Sequence, residues 1–213
     1  MTSSRQMVLE RIRAGLDGVA GEMKSGYVGL ERHYRQSGSM DTEERLALMV
    51  ERLREYDAEV VECSASMLDE TVAQQIAGSG RRVLAAPAGL PLGWLAKGVD
   101  WRIDHDLSHD EIEMAEGVAT SSFCGIAESG TIVLHHSPAE GRRVLTLLPD
   151  WHLCVLHASQ VVETLPEYFA LCAEPPKLAT YISGPSATAD IEMTRIKGVH
   201  GPRFLSVILV RDE

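Results

Sequence analysis

The residues most able to do chemistry in this sequence stand in turn-rich segments near its carboxyl end. The segment GVHGPR carries His200 and Arg203 around a tight Gly-Pro turn. An imidazole can transfer protons near neutral pH, and a guanidinium can hold a carboxylate or phosphate through paired hydrogen bonds. The same pattern would arise if Arg203 paired with Asp190 or Glu192 and His200 bonded a backbone carbonyl. A ligand site and a local ion pair are therefore both open, and they do not exclude one another.

The segment just before it, YISGPSATADIE, predicts a strand, a turn and the start of a helix. Ser186 or Thr188 would cap that helix, and free N–H groups of its first turn would hold an anion. Asp190 places negative charge in the same turn, which competes with an anionic ligand and favours a plain capped helix. Gly184, at the turn itself, belongs to either interpretation.

A third segment, GIAESGT, places Glu128 ahead of a Ser-Gly-Thr turn and an apolar strand. A carboxylate in such a turn can act as a base or a nucleophile, although capping of local N–H groups is the commoner role. The catalytic candidates are thus Glu128 and His200. The ligand-binding candidates are Ser129, Gly130, Thr131, Gly184, Ser186, Thr188, Asp190 and Arg203.

Metal and cluster ligation is not predicted for this chain. His105 and His109 have helical i, i+4 spacing, but no third ligand accompanies them, and a solvated loop is favoured. His135 and His136 are adjacent, so on a strand their side chains point to opposite faces. The cysteines are widely spaced and form no Cys-x-x-Cys pair, which argues against an iron–sulfur cluster or zinc ribbon. They are Cys63, Cys124, Cys154 and Cys172.

The elements that must position these residues follow a strand–helix–strand rhythm. AEVVEC predicts a strand, a helix from Ser64 ends at Gly78-Ser79-Gly80, and RRVLAAP predicts the next strand, which together favour parallel pairing. Continuous apolar runs indicate strands buried on both faces. We predict further strands at 131–135, 142–149, 152–159, 178–183 and 204–210. Helices are predicted from 186 to 198 and at 159–172, the latter with a break at Leu165 and a new turn that begins at Pro166. The ligand segments would then meet at the carboxyl-end rim of the sheet.

Two more helices are predicted before this sheet, at 3–16 and from Asp41 through Leu53. The fold class is therefore α/β, a mainly parallel sheet flanked by helices, with a helical N-terminal extension. The predicted domains are 1–56 for the extension and 57–213 for the α/β domain.

Composition limits the function classes. The chain has 213 residues and a formal net charge of −11, which disfavours nucleic-acid binding. No apolar run approaches the ~20 residues of a membrane span, and the start of the sequence lacks a signal-peptide core. A cytoplasmic protein is expected.

Four motifs occur in order: GIAESGTIVL, LLPDWHLCVLHASQVVETLPE, ISGPSATADIE and KGVHGPRFLSVILV. Their combination, within residues 117–210, resembles the lactate utilization protein C family of LUD-domain proteins. The resemblance implies a Rossmann-like fold similar to ribose-phosphate isomerases, glucosamine-phosphate deaminases and CoA transferases. It also implies a role in bacterial oxidation of L-lactate to pyruvate, beside two iron–sulfur proteins that carry the clusters, with no cofactor in this chain.

The resemblance leaves open whether this chain catalyses a reaction. By analogy of fold, Glu128 is similar to the nucleophilic glutamate of some CoA transferases, although their glycine-rich loop is not visible here. The alternative to an accessory subunit is an independent enzyme or binding protein. It would take a small anionic carboxylate, phosphate or CoA-type ligand at the carboxyl-end rim.

Overall fold

The computed structural model describes residues 4–16, 30–31, 33–174, 176–188, 196–198 and 200–211, with residues 188, 196 and 197 described by their backbone alone. The chain divides into two units, Met1–Arg35 and Gln36–Glu213. The first unit contains helix α1, Ser4–Leu16, which confirms the helix predicted there. The other helices and strands of the described residues belong to the second unit.

The second unit alternates helices and strands as the sequence rhythm predicted. Its helices are α2 Thr42–Glu55, α3 Leu68–Ser79, α4 His109–Glu113 and α5 Leu165–Leu171. Its strands are β1 Glu59–Ser64, β2 Val83–Pro87, β3 Asp100–Asp104, β4 Gly117–Thr120, β5 Cys124–Ile126, β6 Thr131–Leu134, β7 Trp151–His157, β8 Val161–Val162, β9 Thr180–Ile182, β10 Ala187–Thr188, β11 Ile196–Lys197 and β12 Phe204–Arg211. Short 3₁₀ turns lie at Ala65–Met67, Leu92–Trp94, Ala127–Ser129, Arg143–Thr146 and Ala158–Gln160.

The main sheet has six strands in the order β1-β12-β7-β4-β2-β3. Every neighbouring pair in it is parallel. Parallel strands need crossover connections, and helices supply several of them. The α/β class with a parallel sheet is therefore confirmed.

Both faces of the main sheet are covered, as the continuous apolar runs predicted. On one face, Val72 and Ile76 of α3 pack with Leu153 and Val155 of β7. On the other face, the alternate residues of β7 pack against α2 and a smaller sheet, with Leu53 of α2 in the same core. Alternation along β7 thus gives two separate cores, one on each side of a single strand.

The smaller sheet has four strands in the order β8-β5-β6-β9. The pairs β5–β6 and β6–β9 are antiparallel, and β5–β8 is parallel. Ile132 and Leu134 of β6 contribute to the core shared with the main sheet. This sheet carries β9, and the turn after β9 therefore lies close to the main sheet.

Helix α2 is fixed within the second unit. Its apolar side, Leu46, Met49, Val50 and Leu53, is buried, as the spacing predicted. The segment before it is bound by carboxylates: Glu163 accepts hydrogen bonds from the Ser39 and Met40 N–H groups, both at 2.7 Å. The division between the two units falls between residues 35 and 36 of the chain. The predicted domain boundary between residues 56 and 57 stays a prediction.

The strand predicted at 142–149 is wrong. Residues Arg143–Thr146 form a 3₁₀ turn instead. The guanidinium of Arg143 closes this turn by donating to the Thr146 carbonyl oxygen at 2.9 Å and to its hydroxyl oxygen at 3.1 Å. The apolar run of this segment buries Leu145 beneath the turn while Leu147 and Leu148 stay exposed, which is not the pattern of a buried strand.

The helix predicted at 159–172 is shorter than expected. It is replaced at its start by a 3₁₀ turn and by β8, and only Leu165–Leu171 is α-helical. Thr164 forms a capping box with Glu167, and Pro166 occupies the first turn, where its missing N–H costs nothing. These residues specify a new helix start in the middle of the predicted one.

The helix predicted to begin after Ser186 is wrong at both of its ends. Residues 187–188 and 196–197 pair as antiparallel strands β10 and β11. The Ser186 N–H donates to the Pro202 carbonyl at 2.8 Å, and the Gly198 N–H donates to the Ser186 carbonyl at 2.9 Å. These backbone bonds tie the two arms of the segment together. The residues between β10 and β11 lie outside the described part.

Candidate functional site

A cavity of about 230 Å³ lies between the main sheet and the turn that follows β9. His152 and Leu205, the second residues of β7 and β12, line it from the sheet. The predicted carboxyl-end location is therefore wrong for this cavity, because residues 198–203 lead into β12 and so lie at its amino end. The lining residues are Arg143, Thr146, His152, Thr180–Ala187, His200–Pro202 and Leu205.

The charge on the cavity wall comes from Arg143. Its side chain is half-buried, and its hydrogen bonds run only to Thr146 within the described ranges. Burial lowers the pKa of Arg143, but a guanidinium stays protonated at neutral pH. No carboxylate lines the cavity in the described part of the chain. Within the described residues, the site is thus a partly desolvated cation without a counter-charge, which favours an anion.

The floor of the cavity is His152, of which 1% is exposed. Its Nε2 atom lies 2.8 Å from the Thr120 hydroxyl oxygen. Burial, helped by the nearby charge of Arg143, lowers the pKa of His152 to about 3. The imidazole is therefore neutral at physiological pH. Its Nδ1 atom has no hydrogen-bond partner among the residues the structure describes.

Hydroxyl groups complete the wall. The Thr180 hydroxyl oxygen lies 2.9 Å from His136 Nε2, which fixes its orientation. Ser183, also on the wall, lies 2.8 Å from the Thr131 hydroxyl oxygen. Thr131 in turn lies 2.8 Å from the Ser129 hydroxyl oxygen. A chain of hydroxyl groups thus leads from the cavity to the turn before β6.

The structure brings together some of the predicted site residues. Gly184, Ser186 and His200 line the cavity, and the Ser186 hydroxyl accepts a hydrogen bond from the His200 N–H at 3.1 Å. Ser129 and Thr131 reach its wall only through the hydroxyl chain. Their assignment to ligand binding stays a prediction.

Other predicted site residues lie elsewhere. Glu128 is exposed and does not line the cavity, and its N–H donates to the Glu163 carbonyl at 3.0 Å. Gly130 has a φ of +59°, and a Cβ there would lie 2.6 Å from the Cβ of Arg52, so packing against α2 explains this glycine. The backbone of Thr188 belongs to β10, and Asp190 lies outside the described residues.

Arg203 is engaged by a carboxylate that the sequence analysis did not consider. Its Nε and Nη2 atoms donate to Asp150 at 2.6 and 3.0 Å, an ion pair that raises the pKa of Arg203. Its side chain is 56% exposed and does not line the cavity. The local ion pair is thus realised with Asp150.

Sequence reasoning missed Arg143 and His152. Arg143 was placed on a strand that does not exist, which hid its position at a turn. A signal for His152 was present: it is a histidine near the start of an apolar run, HLCVLH, that is buried on both faces. A polar side chain on such a strand needs a partner or a function.

A second cavity, of about 620 Å³, lies at the carboxyl ends of β2 and β3, next to Pro87 and Asp104. Arg143 lines this cavity too. Its other arginine, Arg142, is bound to the Asp104 carboxylate at 2.6 and 2.8 Å. Among the described residues, Arg143 is therefore the arginine of this cavity that has no carboxylate partner. It lines the first cavity as well.

In the described ranges, no group of three or more His, Cys, Asp or Glu side chains is placed to hold a metal ion. No helix there is both long and apolar enough to cross a membrane.

Comparison with known proteins finds a consistent family. The LUD domain model matches residues 40–210. Lactate utilization protein C of Deinococcus radiodurans is 42% identical over 75% of this chain and 76% of that protein. Lactate utilization protein C of Bacillus licheniformis is 28% identical over 91% of this chain and 89% of its own length.

A solved structure agrees with the fold. The crystal structure of a DUF162-family protein from Deinococcus radiodurans, at 1.70 Å resolution, is 36% identical and superposes with a TM-score of 0.69. The match covers 81% of this chain and 99% of the other. The structural match therefore extends over nearly all of the Deinococcus radiodurans chain.

Proposed function

Because the chain belongs to the LUD-domain family of lactate utilization protein C, we propose that it takes part in bacterial lactate utilization by binding a small carboxylate. The observation that carries the binding role is Arg143, a half-buried guanidinium on a cavity wall without a carboxylate partner in the described residues. A charge-assisted pair with a ligand carboxylate would satisfy it. The names of the relatives support lactate metabolism as the setting.

The oxidation of L-lactate to pyruvate releases electrons, and iron–sulfur clusters are one class of cofactor that accepts them. The cysteines of this chain do not fit such a cluster, which needs thiolate ligands. Cys124 and Cys154 are buried, and burial raises the pKa of each thiol to about 12. In this assembly the chain binds the carboxylate, and two iron–sulfur partner proteins carry the electrons.

The free cysteines also support a reducing compartment, and we place the assembly in the cytoplasm. A tagged chain purified from its native host grown on L-lactate should bring down proteins that contain iron–sulfur clusters. Mass spectrometry and the visible absorbance of the clusters would identify them. Recovery of the chain alone, with and without mild cross-linking, would overturn the partnership.

Carboxylate binding is tested on the purified chain. Titration with sodium L-lactate, followed by ¹⁵N NMR, should give saturable shifts at the turn after β9 and at β7. Sodium chloride at equal ionic strength is the control. If neither lactate nor any other short carboxylate gives saturable shifts there, the binding role is wrong.

A second candidate function is supported by the second cavity. Because Arg143 lines both cavities, a longer anionic ligand of phosphate or CoA type could lie across them with its charge on the same guanidinium. The chain would then be an independent enzyme or binding protein. Coenzyme A or inorganic phosphate that displaces lactate competitively would favour this function.

A further inference from the structure

One polar atom in the cavity has no role in the contacts described so far. The side chain of His152 is almost completely buried and lines the cavity. Its Nε2 atom is hydrogen-bonded to the Thr120 hydroxyl group. The Nδ1 atom has no partner in the described part of the chain. A polar atom that has no protein partner, on a buried side chain that borders a cavity, is open to a hydrogen bond from a ligand group.

The chemistry of a neutral imidazole defines that ligand group. One ring nitrogen donates a hydrogen bond and the other accepts one. If the Thr120 hydroxyl donates to Nε2, then Nδ1 carries the proton and needs an acceptor. If Thr120 accepts from Nε2 and turns its own proton toward Cys154 Sγ, 3.9 Å away, then Nδ1 needs a donor. A hydroxyl group suits both tautomers because it donates and accepts.

We propose that His152 Nδ1 bonds the hydroxyl group of a 2-hydroxy monocarboxylate whose carboxylate is bound by Arg143. This inference rests on the proposed carboxylate binding and adds a specificity-determining residue to it. Arg143 and His152 line the same small cavity. A short ligand lying in it would therefore contact both side chains.

Size and polarity of the cavity agree with a short ligand. Its volume of about 230 Å³ is below the ~300–1,000 Å³ range of sites for drug-sized ligands. Apolar side chains, among them Ile182, Pro202 and Leu205, form part of its wall. They would contact the alkyl end of the acid. A second carboxylate on the ligand would find no further unpaired cation on the described wall.

The test compares L-lactate with propionate, which has the same carbon chain but no hydroxyl group. Isothermal titration calorimetry on the wild-type chain should show lactate binding at least tenfold tighter, which equals about 1.4 kcal/mol. In His152→Phe this ratio should fall to about one, with propionate binding retained. His109→Phe, a change at an exposed histidine on α4 that lines neither cavity, should keep the ratio.

The outcomes separate the two proposals. If the wild-type chain binds propionate as tightly as lactate, the selection of 2-hydroxy acids is wrong, while carboxylate binding stands. If it binds neither acid, the proposed function fails as well. A ratio that survives in His152→Phe would overturn the role of His152.

A second measurement does not depend on folding of the variant. The imidazole ¹⁵N resonances of His152 in the wild-type chain should move with lactate and stay in place with propionate. Resonances that respond equally to both acids, or to neither while both bind, would contradict the hydrogen bond at Nδ1.

Discussion

The interior of the cavity and the loop at 198–203 each hold one arginine and one histidine, but in opposite states. In the interior, Arg143 is half-buried and has no carboxylate partner among the residues that the structure describes, and His152 is buried and neutral. In the loop, Arg203 is exposed and bound to Asp150, and His200 is exposed. The same residue types can therefore be ready for a ligand or already satisfied by the protein. Burial and the counter-charge decide which.

The largest expected difference is in carboxylate binding by arginine variants. Arg143→Met should weaken L-lactate binding by roughly 10- to 150-fold, since a hydrogen bond to a charged group contributes about 1.5–3 kcal/mol. Arg203→Met should change the affinity by less than about twofold because its guanidinium does not line the cavity. Calorimetric titration of both variants measures this. Equal losses would remove the distinction between the two regions.

Burial of His152 should link the stability of the folded chain to pH. The folded-state pKa of His152, about 3, lies below the ~6.5 of an unfolded histidine. The unfolded chain therefore binds an extra proton between these values, and the free energy of unfolding falls as the pH falls from about 6.5 towards 3. The contribution is on the order of 1 kcal/mol per pH unit.

Urea unfolding of the wild-type chain and of His152→Phe between pH 6.5 and 4 checks this. The slope against pH should be smaller in His152→Phe than in the wild-type chain. If the two slopes are equal, His152 is not protected from protonation in the folded chain.

The hydroxyl chain should contribute more to stability than to binding. Thr131→Val removes the central, buried hydroxyl and should lower the free energy of unfolding by about 1 kcal/mol. Ser129→Ala, at the exposed end, should cost less. Lactate affinity should stay within about twofold in both. A tenfold loss of affinity in Thr131→Val would instead place the chain of hydroxyls within the ligand site.

The smallest effect is expected at the exposed ion pair. Asp150→Asn should lower the free energy of unfolding by less than Thr131→Val does, since the Arg203 side chain is largely solvated. The loss should shrink at high salt. Thermal denaturation at low and high ionic strength measures it. If lactate binding also weakens, the loop is coupled to the cavity more closely than the contacts indicate.

The fold was more predictable than the site because periodicity and apolar runs report burial directly. The runs at β7 and β12 indicated strands covered on both faces, and the spacing in α2 identified its four buried residues. The segment 142–149 also contains an apolar run, but it forms a 3₁₀ turn. The Arg143 side chain closes this turn through hydrogen bonds to Thr146. Side-chain bonds of this kind leave little trace in a hydrophobic pattern.

The site depended on pairings between distant residues. Arg203 and Asp150 are more than fifty positions apart, and nothing local to GVHGPR indicates that this guanidinium is already bound. Thr120 and His152 meet across adjacent strands, which local sequence does not specify. The sequence analysis therefore identified Gly184, Ser186 and His200, which line the cavity. It did not identify Arg143, the cation on the cavity wall.

The strand order also constrains how the chain can be made. β1 is the first strand to leave the ribosome, yet it pairs with β12, whose Ser206 lies opposite Glu59. β12 also separates β1 from β7 in the sheet. During synthesis β1 therefore has no partner strand in the main sheet until almost 150 further residues, including the start of β12, have emerged. The sheet is therefore complete only once β12 has emerged, and until then the edge of β1 can pair with another chain.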